Sequence, residues 1–297
     1  MRSRMSSKVR SNRNSAGPSR KARSRRIARR SMSKSGFGTE ALVRGVALGD
    51  KHCMEMARAL ALPLRTILDF ALPARCAGCR AIVDEVHTFC MDCWSSIDFI
   101  RGGCESCGLP LEATDLGTCA VCLAKPPRIQ RTRAAVTYSD ITRGLALRLK
   151  YGRKVGLAKT MAHYMAPLLS GLPADSHLVP VPLHRRRLWE RGFNQAGLLA
   201  AELSRRSGLM VDHALIRTRR TPPLKGLSRL QRRRAVAGAF GVHRDANLRG
   251  RTFVLVDDVL TTGSTANGCA RALLKAGAER VDFVSWARVV RPAYLDV

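Results

Sequence analysis

The sequence contains few aromatic residues and few acidic residues relative to its basic ones. Aromatic side chains make up 5% of the 297 residues, and 22 Asp and Glu stand against 52 Lys and Arg, which gives a net charge of +30. Long apolar runs are also absent, because the most apolar stretch, residues 54–73, is interrupted by charged residues and by Pro63. The pattern therefore predicts no membrane-spanning helix. It also disfavours single-strand recognition by aromatic side chains interleaved with basic ones.

The positive charge is concentrated in two regions. Residues 1–36 contain 13 basic and no acidic residues, residues 37–127 contain 8 and 11, and residues 128–297 contain 31 and 11. Basic segments of this size favour nucleic acid, pyrophosphate-bearing substrates or anionic lipid. A GC-rich genome also raises arginine content without any ligand. Charge alone therefore does not select a partner.

The composition predicts a disordered basic extension over residues 1–53, because so polar a segment buries too little apolar surface to offset its ordering entropy. Three interpretations of its basic start are open: a nucleic-acid-binding arm, a presequence, or a start codon assigned too far upstream. Met54 and Met56 precede the first apolar pattern. We expect a short helical lead-in over residues 54–72, broken at Pro63.

Eight of the ten cysteines form four Cys-x-x-Cys pairs separated by 10, 10 and 11 residues. Two such pairs complete a tetrahedral Cys₄ site, so residues 73–127 are predicted to hold two structural Zn²⁺ ions. Sequential sites are expected in preference to cross-braced ones. Their ligands are then Cys76, Cys79, Cys90 and Cys93 in the first site and Cys104, Cys107, Cys119 and Cys122 in the second. A disulfide framework is the alternative, but no secretory signal is visible, and we expect a cytoplasmic protein.

The stretch Val254–Thr265 reads VLVDDVLTTGST. Its apolar start predicts a buried parallel strand, with Asp257 and Asp258 where that strand ends, followed by a hydroxyl-rich turn and a helix. Unpaired N–H groups at the helix N-terminus and the close approach allowed by Gly263 suit a phosphate, and the acidic pair suits ribose hydroxyls or hydrated Mg²⁺. An ordinary strand-to-helix turn with a surface Asp pair is the alternative interpretation.

VLVDDVLTTGST resembles the PRPP-binding motif of type I phosphoribosyltransferases, in which the acidic pair contacts the ribose and the turn holds the 5′-phosphate. The resemblance assigns PRPP contacts to Asp257, Asp258, Thr261, Thr262, Gly263, Ser264 and Thr265. The turn lacks the lysine of a Walker A loop. A strand from His177 must leave its sheet at Pro180 or Pro182. By the same resemblance, Pro180 to Leu183 form the pyrophosphate loop, with Pro182 and Leu183 among the residues that contact PRPP.

Two further basic segments lie near these motifs. Lys150, Arg153 and Lys154 surround Gly152, and a solvated helix end is their simplest interpretation. Residues 217–234 contain eight basic and no acidic residues, which indicates an exposed loop. The resemblance makes this loop a lid over the reacting centre, with Lys225 among the groups that would contact pyrophosphate. The same loop also suits a nucleic-acid backbone.

The cysteine pairs, VPVPL, RGFNQ, TPP, GAF and VLVDDVLTTGST occur in an order that resembles the ComF family from about Ala71 to the C-terminus. Members are phosphoribosyltransferase-like, and some are tied to DNA uptake in natural competence. Leu224 and Ala235 replace the glutamine and asparagine usual in the family. The resemblance implies an α/β domain over residues 128–297, with about five parallel strands and helices on both faces, preceded by a small double zinc ribbon.

Three functions are compatible with these features. The first is a Mg²⁺-dependent PRPP site that transfers the phosphoribosyl group and releases pyrophosphate. The second is a non-catalytic, nucleic-acid-associated factor in DNA uptake, with single-stranded DNA or competence-machinery proteins as partners. The third is a partner-binding scaffold with a vestigial site. No signature in the sequence identifies an acceptor substrate.

Overall fold

The computed structural model describes residues 73–111, 117–219, 228–244 and 246–290. The expected basic extension, the helical lead-in and Lys225 lie outside these ranges. In the described part of the chain, the cysteine region comes first and a parallel sheet follows.

The described elements alternate between helices and strands after the cysteine region. The helices are α1 (Met91–Ser95), α2 (Ala120–Ala124), α3 (Asp140–Tyr151), α4 (Leu157–Met165), α5 (Arg185–Arg191), α6 (Gln195–Ser207), α7 (Arg229–Val236) and α8 (Ser264–Lys275), and a 3₁₀ turn covers Ala166–Leu169. The strands are β1 (Thr132–Thr137), β2 (His177–Pro180), β3 (Met210–Val211), β4 (Leu215–Arg217), β5 (Phe240–Val242), β6 (Thr252–Leu260) and β7 (Arg280–Arg288).

The main sheet has five parallel strands in the order β1-β7-β6-β2-β3, as the sequence predicts. β6 lies at its centre, paired with β7 on one side and with β2 on the other. β4 and β5 form a separate antiparallel pair. Ligands of open parallel sheets bind outside the carboxyl ends of the strands, and here β2 ends at Pro180 opposite Val256, directly before the acidic pair of β6.

Both faces of the sheet are covered by helices, which confirms the predicted architecture. On one face, Val254 and Val256 pack with apolar residues of α3, α4 and α6. On the other face, Phe253 and Leu255 pack with apolar residues of α8, including the fully buried Cys269. Because successive strand residues point to opposite faces and both are buried, β6 has a continuous apolar sequence.

The cysteine region covers the outer edge of the sheet. Phe99 forms an antiparallel bridge with Val136 of β1, the Ile100 N–H donates to the Ala135 carbonyl at 3.0 Å, and the Thr137 N–H donates to the Asp98 carbonyl at 2.9 Å. This short segment satisfies backbone groups that an open edge strand would leave unpaired. The cysteine region and the sheet are therefore joined by backbone pairing.

None of the helices in the described ranges is both long and apolar enough to cross a membrane.

Candidate functional site

The eight cysteines of the Cys-x-x-Cys pairs gather into two groups of four, each with its sulfur atoms within 4.8 Å of one another. The groups are the sequential sets predicted above, so the cross-braced alternative is wrong. Cys79 and Cys90 have their Sγ atoms 3.5 Å apart, and Cys107 and Cys119 have theirs 3.8 Å apart. Sulfurs on a tetrahedral zinc with bonds of about 2.3 Å lie about 3.8 Å apart, so both groups fit Zn²⁺.

Backbone N–H groups favour the metal-binding thiolate form of one cysteine in each group. The N–H of Cys90 donates to Cys76 Sγ, and the N–H of Cys119 donates to Cys104 Sγ, both at 3.3 Å. Burial raises the pKa of Cys76 and Cys104, but the donated hydrogen bonds outweigh burial and lower each pKa to about 6. Thiolates are the zinc-binding form, so the chemistry of the donors also fits zinc.

The acidic pair lies inside β6 and not at its end, where the sequence placed it. β6 continues to Leu260 because β7 is equally long and pairs with it as far as Arg288. Strand geometry then directs neighbouring side chains to opposite faces. Asp258 shares the face of Val254 and Val256, whereas Asp257 shares the face toward α8.

Asp258 is 2% exposed and is held by Lys150, whose Nζ lies 2.6 Å from Asp258 Oδ2. The interpretation of Lys150 as part of a solvated helix end is therefore wrong. Burial lowers the pKa of Lys150, but the Asp258 carboxylate outweighs it and raises that pKa above its ordinary value. No pattern in the sequence pairs a lysine at the end of α3 with a carboxylate in β6.

Asp257 faces the hydroxyl-rich turn. It lines a pocket together with Thr261, Thr262, Gly263, Ser264 and Thr265, so the structure brings this predicted set together. Its Oδ1 accepts a hydrogen bond of 2.9 Å from the Asp258 N–H. Burial and the adjacent Asp258 carboxylate raise the pKa of Asp257 to about 8. A ligand cation or a hydroxyl donor at this position would favour the ionised form of Asp257 and lower its pKa.

Gly263 shapes the turn that begins α8. Its φ of +70° lies in the left-handed region, and no side chain caps the helix there. The hydroxyls of Thr262 and Ser264 lie 2.9 Å apart. Uncapped N–H groups and clustered hydroxyls beside a helix N-terminus form a surface of hydrogen-bond donors for an anion.

The predicted pyrophosphate loop leaves the sheet beside the acidic pair. Val181 donates its N–H to the Val256 carbonyl at 3.0 Å, and the partly buried Pro182 and Leu183 follow. Asn194 fixes this exit, because its Nδ2 donates to the Val181 carbonyl at 3.0 Å while its Oδ1 caps α6. The strand leaves after Pro180, the earlier of the two predicted exits.

Residues 217–234, predicted above to form an exposed basic loop, include regular secondary structure at both ends of the segment. It starts in β4 and ends in α7, which a Ser228–Gln231 capping box begins. Arg217, at the end of β4, lies over the Phe240 ring at 5.2 Å from the ring centroid. Burial and the nearby Arg187 lower the pKa of Arg217, whereas the nearby Asp257 carboxylate raises it. Arg217 is therefore close enough to interact electrostatically with Asp257, and Arg187 is close to Arg217.

Comparison with known proteins agrees with both halves of this structure. Residues 67–130 match the double zinc ribbon domain, and residues 191–293 match the phosphoribosyl transferase domain. Among solved structures, the glutamine PRPP amidotransferase from B. subtilis superposes with a TM-score of 0.30 at 20% identity, covering 43% of this chain and 26% of that chain. A superposition at this level does not establish a shared function.

Similarity to curated proteins extends over most of the chain. The DNA utilization protein YhgH of Escherichia coli K12 is 35% identical over 218 residues, which cover 71% of this chain and 95% of that protein. Competence protein F of Haemophilus influenzae is 30% identical over 74% of this chain and 93% of that protein. Competence protein ComFC of Bacillus subtilis is 30% identical over 63% and 78%. The chain, a double zinc ribbon followed by a phosphoribosyltransferase-like domain, belongs to the ComF family.

Proposed function

We propose that this protein binds PRPP with Mg²⁺ at the carboxyl end of β6 and transfers its phosphoribosyl group to an acceptor with release of pyrophosphate. The observation that carries the proposal is the position of Asp257, which faces the turn from Thr261 to Thr265 beside the exit of β2. A carboxylate, a phosphate-binding turn and a neighbouring loop are the parts that a phosphorylated ribose with a pyrophosphate group requires.

In this proposal, the 5′-phosphate lies on the turn. The first N–H groups of α8 and the hydroxyls of Thr262 and Ser264 donate to its oxygens. Asp257 contacts the ribose, since its side chain faces the same pocket. Asp258, held by Lys150, fixes the end of β6 from the opposite face. The two carboxylates thus have different roles, although the sequence treats them as a pair.

The residues of the site fit a weakly coordinated Mg²⁺. In the described ranges, the clusters of three or more His, Cys, Asp or Glu that fit a metal are the two cysteine groups. Mg²⁺ often takes one or two carboxylates together with substrate phosphates and water, so Asp257 and the pyrophosphate of the ligand would hold it. When bound, Mg²⁺ supplies neutralisation of the pyrophosphate charge.

The transfer step needs positioning and charge neutralisation. A lone pair of the acceptor forms a bond to C1 of the ribose, the C1–O bond breaks, and its electron pair leaves with pyrophosphate. The acceptor then releases its proton to water. In this proposal, Pro182 and Leu183 lie beside the leaving group, and Arg187 and Arg217 supply positive charge for it. The family resemblance adds Lys225, which lies outside the described residues. The acceptor itself is not assigned.

Calorimetric titration of variants with PRPP and Mg²⁺ tests the assignment. D257N should weaken binding by at least about 10-fold and S264A by about 5-fold, because each removes a polar contact to the ligand. D282N is the matched control, since Asp282 is a buried carboxylate of β7 that pairs with Arg280 near the opposite end of the sheet. Unchanged affinity in D257N, or an equal loss in D282N, would refute the site.

A second candidate function, binding of single-stranded nucleic acid, is favoured by one surface. Trp189 of α5 is 90% exposed and follows three consecutive arginines, Arg185 to Arg187. The low aromatic content of the sequence disfavours recognition of this kind, whereas α5 has an exposed aromatic ring beside its arginines. Exposed aromatic rings in a basic surface stack with bases. Relatives are named for DNA utilization and for competence, which supports the same function.

Replacement of Trp189 tests this second function. W189A should weaken binding of a fluorescent oligonucleotide by about 5-fold or more, since base stacking contributes about 1–3 kcal/mol. W189F should retain most of the affinity because it keeps a ring, and L188A on the same helix should change little. Binding that rests on phosphates should also fall steeply between about 50 and 200 mM salt. Equal affinities for W189A and wild type would reject α5 as the binding surface.

A further inference from the structure

The last turn of α3 contacts three parts of the molecule through neighbouring side chains. Arg148 Nη2 donates to the carbonyls of Ala77 at 2.6 Å and Gly78 at 3.1 Å, both in the knuckle between Cys76 and Cys79. Lys150 pairs with Asp258. Tyr151 lies under the Arg191 guanidinium at 4.8 Å and accepts a 3.2 Å hydrogen bond from it, at the end of α5. The turn therefore joins the first cysteine site, the acidic pair and the helix after the pyrophosphate loop.

Helix geometry couples the first two of these contacts. Residues two apart on an α-helix point about 200° away from each other, so Arg148 and Lys150 extend from opposite sides of α3. Between them, Leu149 is fully buried in the shared apolar core. The turn is closed by Gly152, whose N–H donates to the Arg148 carbonyl at 2.9 Å. The side chains of Arg148 and Lys150 therefore extend from one short, hydrogen-bonded length of backbone that is anchored in the core.

The second cysteine site has different contacts. Its knuckle receives hydrogen bonds from Arg133 of β1, whose Nη1 donates to the carbonyls of Cys104 at 3.3 Å and Glu105 at 2.8 Å. It also receives a hydrogen bond from Arg288 of β7 to the Cys107 carbonyl. Both arginines lie on strands of the sheet. Arg148 and Arg133 thus donate the same kind of hydrogen bond to the two knuckles. Of these two arginines, however, only Arg148 lies on the helix that carries Lys150.

We propose that the first cysteine site is coupled to the PRPP site through the last turn of α3, with Arg148 as the positioning residue that holds Lys150 against Asp258. The PRPP part of this proposal rests on the proposed function. The Ala77 and Gly78 carbonyls hold Arg148, and the helical turn that carries Arg148 holds Lys150 at Asp258. Loss of the Arg148 contact at the first site loosens the Lys150–Asp258 pair, whereas loss of the Arg133 contact at the second site leaves that pair intact.

The first test measures Lys150 directly and does not require PRPP. Zinc-loaded wild type, R148M and R133M are labelled with limiting acetic anhydride, and acetylation of Lys150 is quantified by mass spectrometry relative to the exposed Lys159. Loss of the ion pair lowers the pKa of an amine and exposes it, so R148M should label Lys150 about 5-fold faster than wild type. R133M should label it at the wild-type rate. Equal labelling in R148M and wild type, or equal acceleration in R133M, would overturn the proposal.

The second test measures zinc content and PRPP affinity of the same proteins. R148M should keep two zinc ions and bind PRPP about 10-fold more weakly, while R133M should match wild type. If wild type binds no PRPP, the proposed function fails, and the labelling result still decides whether Arg148 holds Lys150. R148K guards against misfolding of R148M, because it keeps the charge but loses the forked donor geometry. R148K should label Lys150 at a rate between those of wild type and R148M, and wild-type labelling in R148K would count against the role of the fork.

Discussion

The two cysteine sites have the same kind of ligands and nearly the same spacing, with 10 residues between the pairs of the first and 11 between those of the second, but different surroundings. Cys76 and Cys93 of the first site belong to the large apolar cluster that contains Leu145, Leu149 and Trp286. The three buried cysteines of the second site form a small cluster of their own, against which Leu109 and Leu111 pack. The first cysteine site is therefore part of the core of the phosphoribosyltransferase-like domain, whereas the second forms a separate small cluster at the edge of that domain.

Aromatic packing makes the same distinction. Tyr164 of α4 contacts Phe89, Trp94 and Phe99 of the cysteine region, with ring centroids 5.5, 6.0 and 5.4 Å away, and also Trp286 of β7 at 6.3 Å. Its hydroxyl donates to the His87 carbonyl at 3.2 Å. Several of the few aromatic residues of the chain therefore join the first site to the sheet domain.

The largest expected difference between the sites follows removal of one ligand from each. C76S and C104S should each lose one of two zinc ions. C76S should lower the free energy of unfolding of the sheet domain by at least about 3 kcal/mol, because its site shares that core, and C104S by less than about 1 kcal/mol. Zinc analysis combined with thermal denaturation followed by circular dichroism measures both quantities. Equal destabilisation by the two variants would contradict the comparison.

A smaller difference is expected when the apolar cover of each site is truncated. Phe89 is buried beside the first site, and Leu109 is partly buried beside the second. F89A should lower the free energy of unfolding by about 3 kcal/mol, which is in the range for truncation of a buried aromatic side chain. L109A should lower it by about 1 kcal/mol, because the partly buried Leu109 side chain removes less apolar area from water on folding. Urea denaturation of the zinc-loaded variants gives both values. A larger loss for L109A than for F89A would reverse the assignment of the shared core.

The smallest expected effect is on the pH dependence of stability and concerns the acidic pair, which α3 contacts through Lys150. Because the pKa of Asp257 is raised to about 8 in the folded protein, the folded state holds a proton that the unfolded chain releases near pH 4. The folded state therefore binds more protons between about pH 4 and 8, and stability falls as pH rises through that window. D257N should reduce the change in the free energy of unfolding between about pH 4 and 8 by at least about 1 kcal/mol.

Thermal denaturation across this pH range checks the prediction. D140N is the control, because Asp140 is an exposed carboxylate at the start of α3. A pH dependence in D257N as steep as in wild type would show that Asp257 does not hold the extra proton.

Local patterns predicted much of this structure. The Cys-x-x-Cys spacing gave the two metal groups, and the apolar run before Asp257 gave the central strand, because both depend on residues close in sequence. The Lys150–Asp258 pair and the Arg148 contact to Ala77, 71 residues away, depend on how distant elements assemble. The extent of β6 past Asp258 depends on its neighbour β7. These long-range features give Asp257 and Asp258 their different surroundings, and they cannot be predicted from a local sequence pattern.

Calorimetric titration of the zinc-loaded wild-type protein with PRPP, with and without Mg²⁺, is the most direct test of the proposed PRPP site. We predict binding of one PRPP per chain that is clearly stronger with Mg²⁺, because the pocket offers one facing carboxylate and relies on the cation to neutralise pyrophosphate. Absence of PRPP binding in the presence of Mg²⁺ would overturn the proposed function and leave nucleic-acid binding through α5 as the function to pursue.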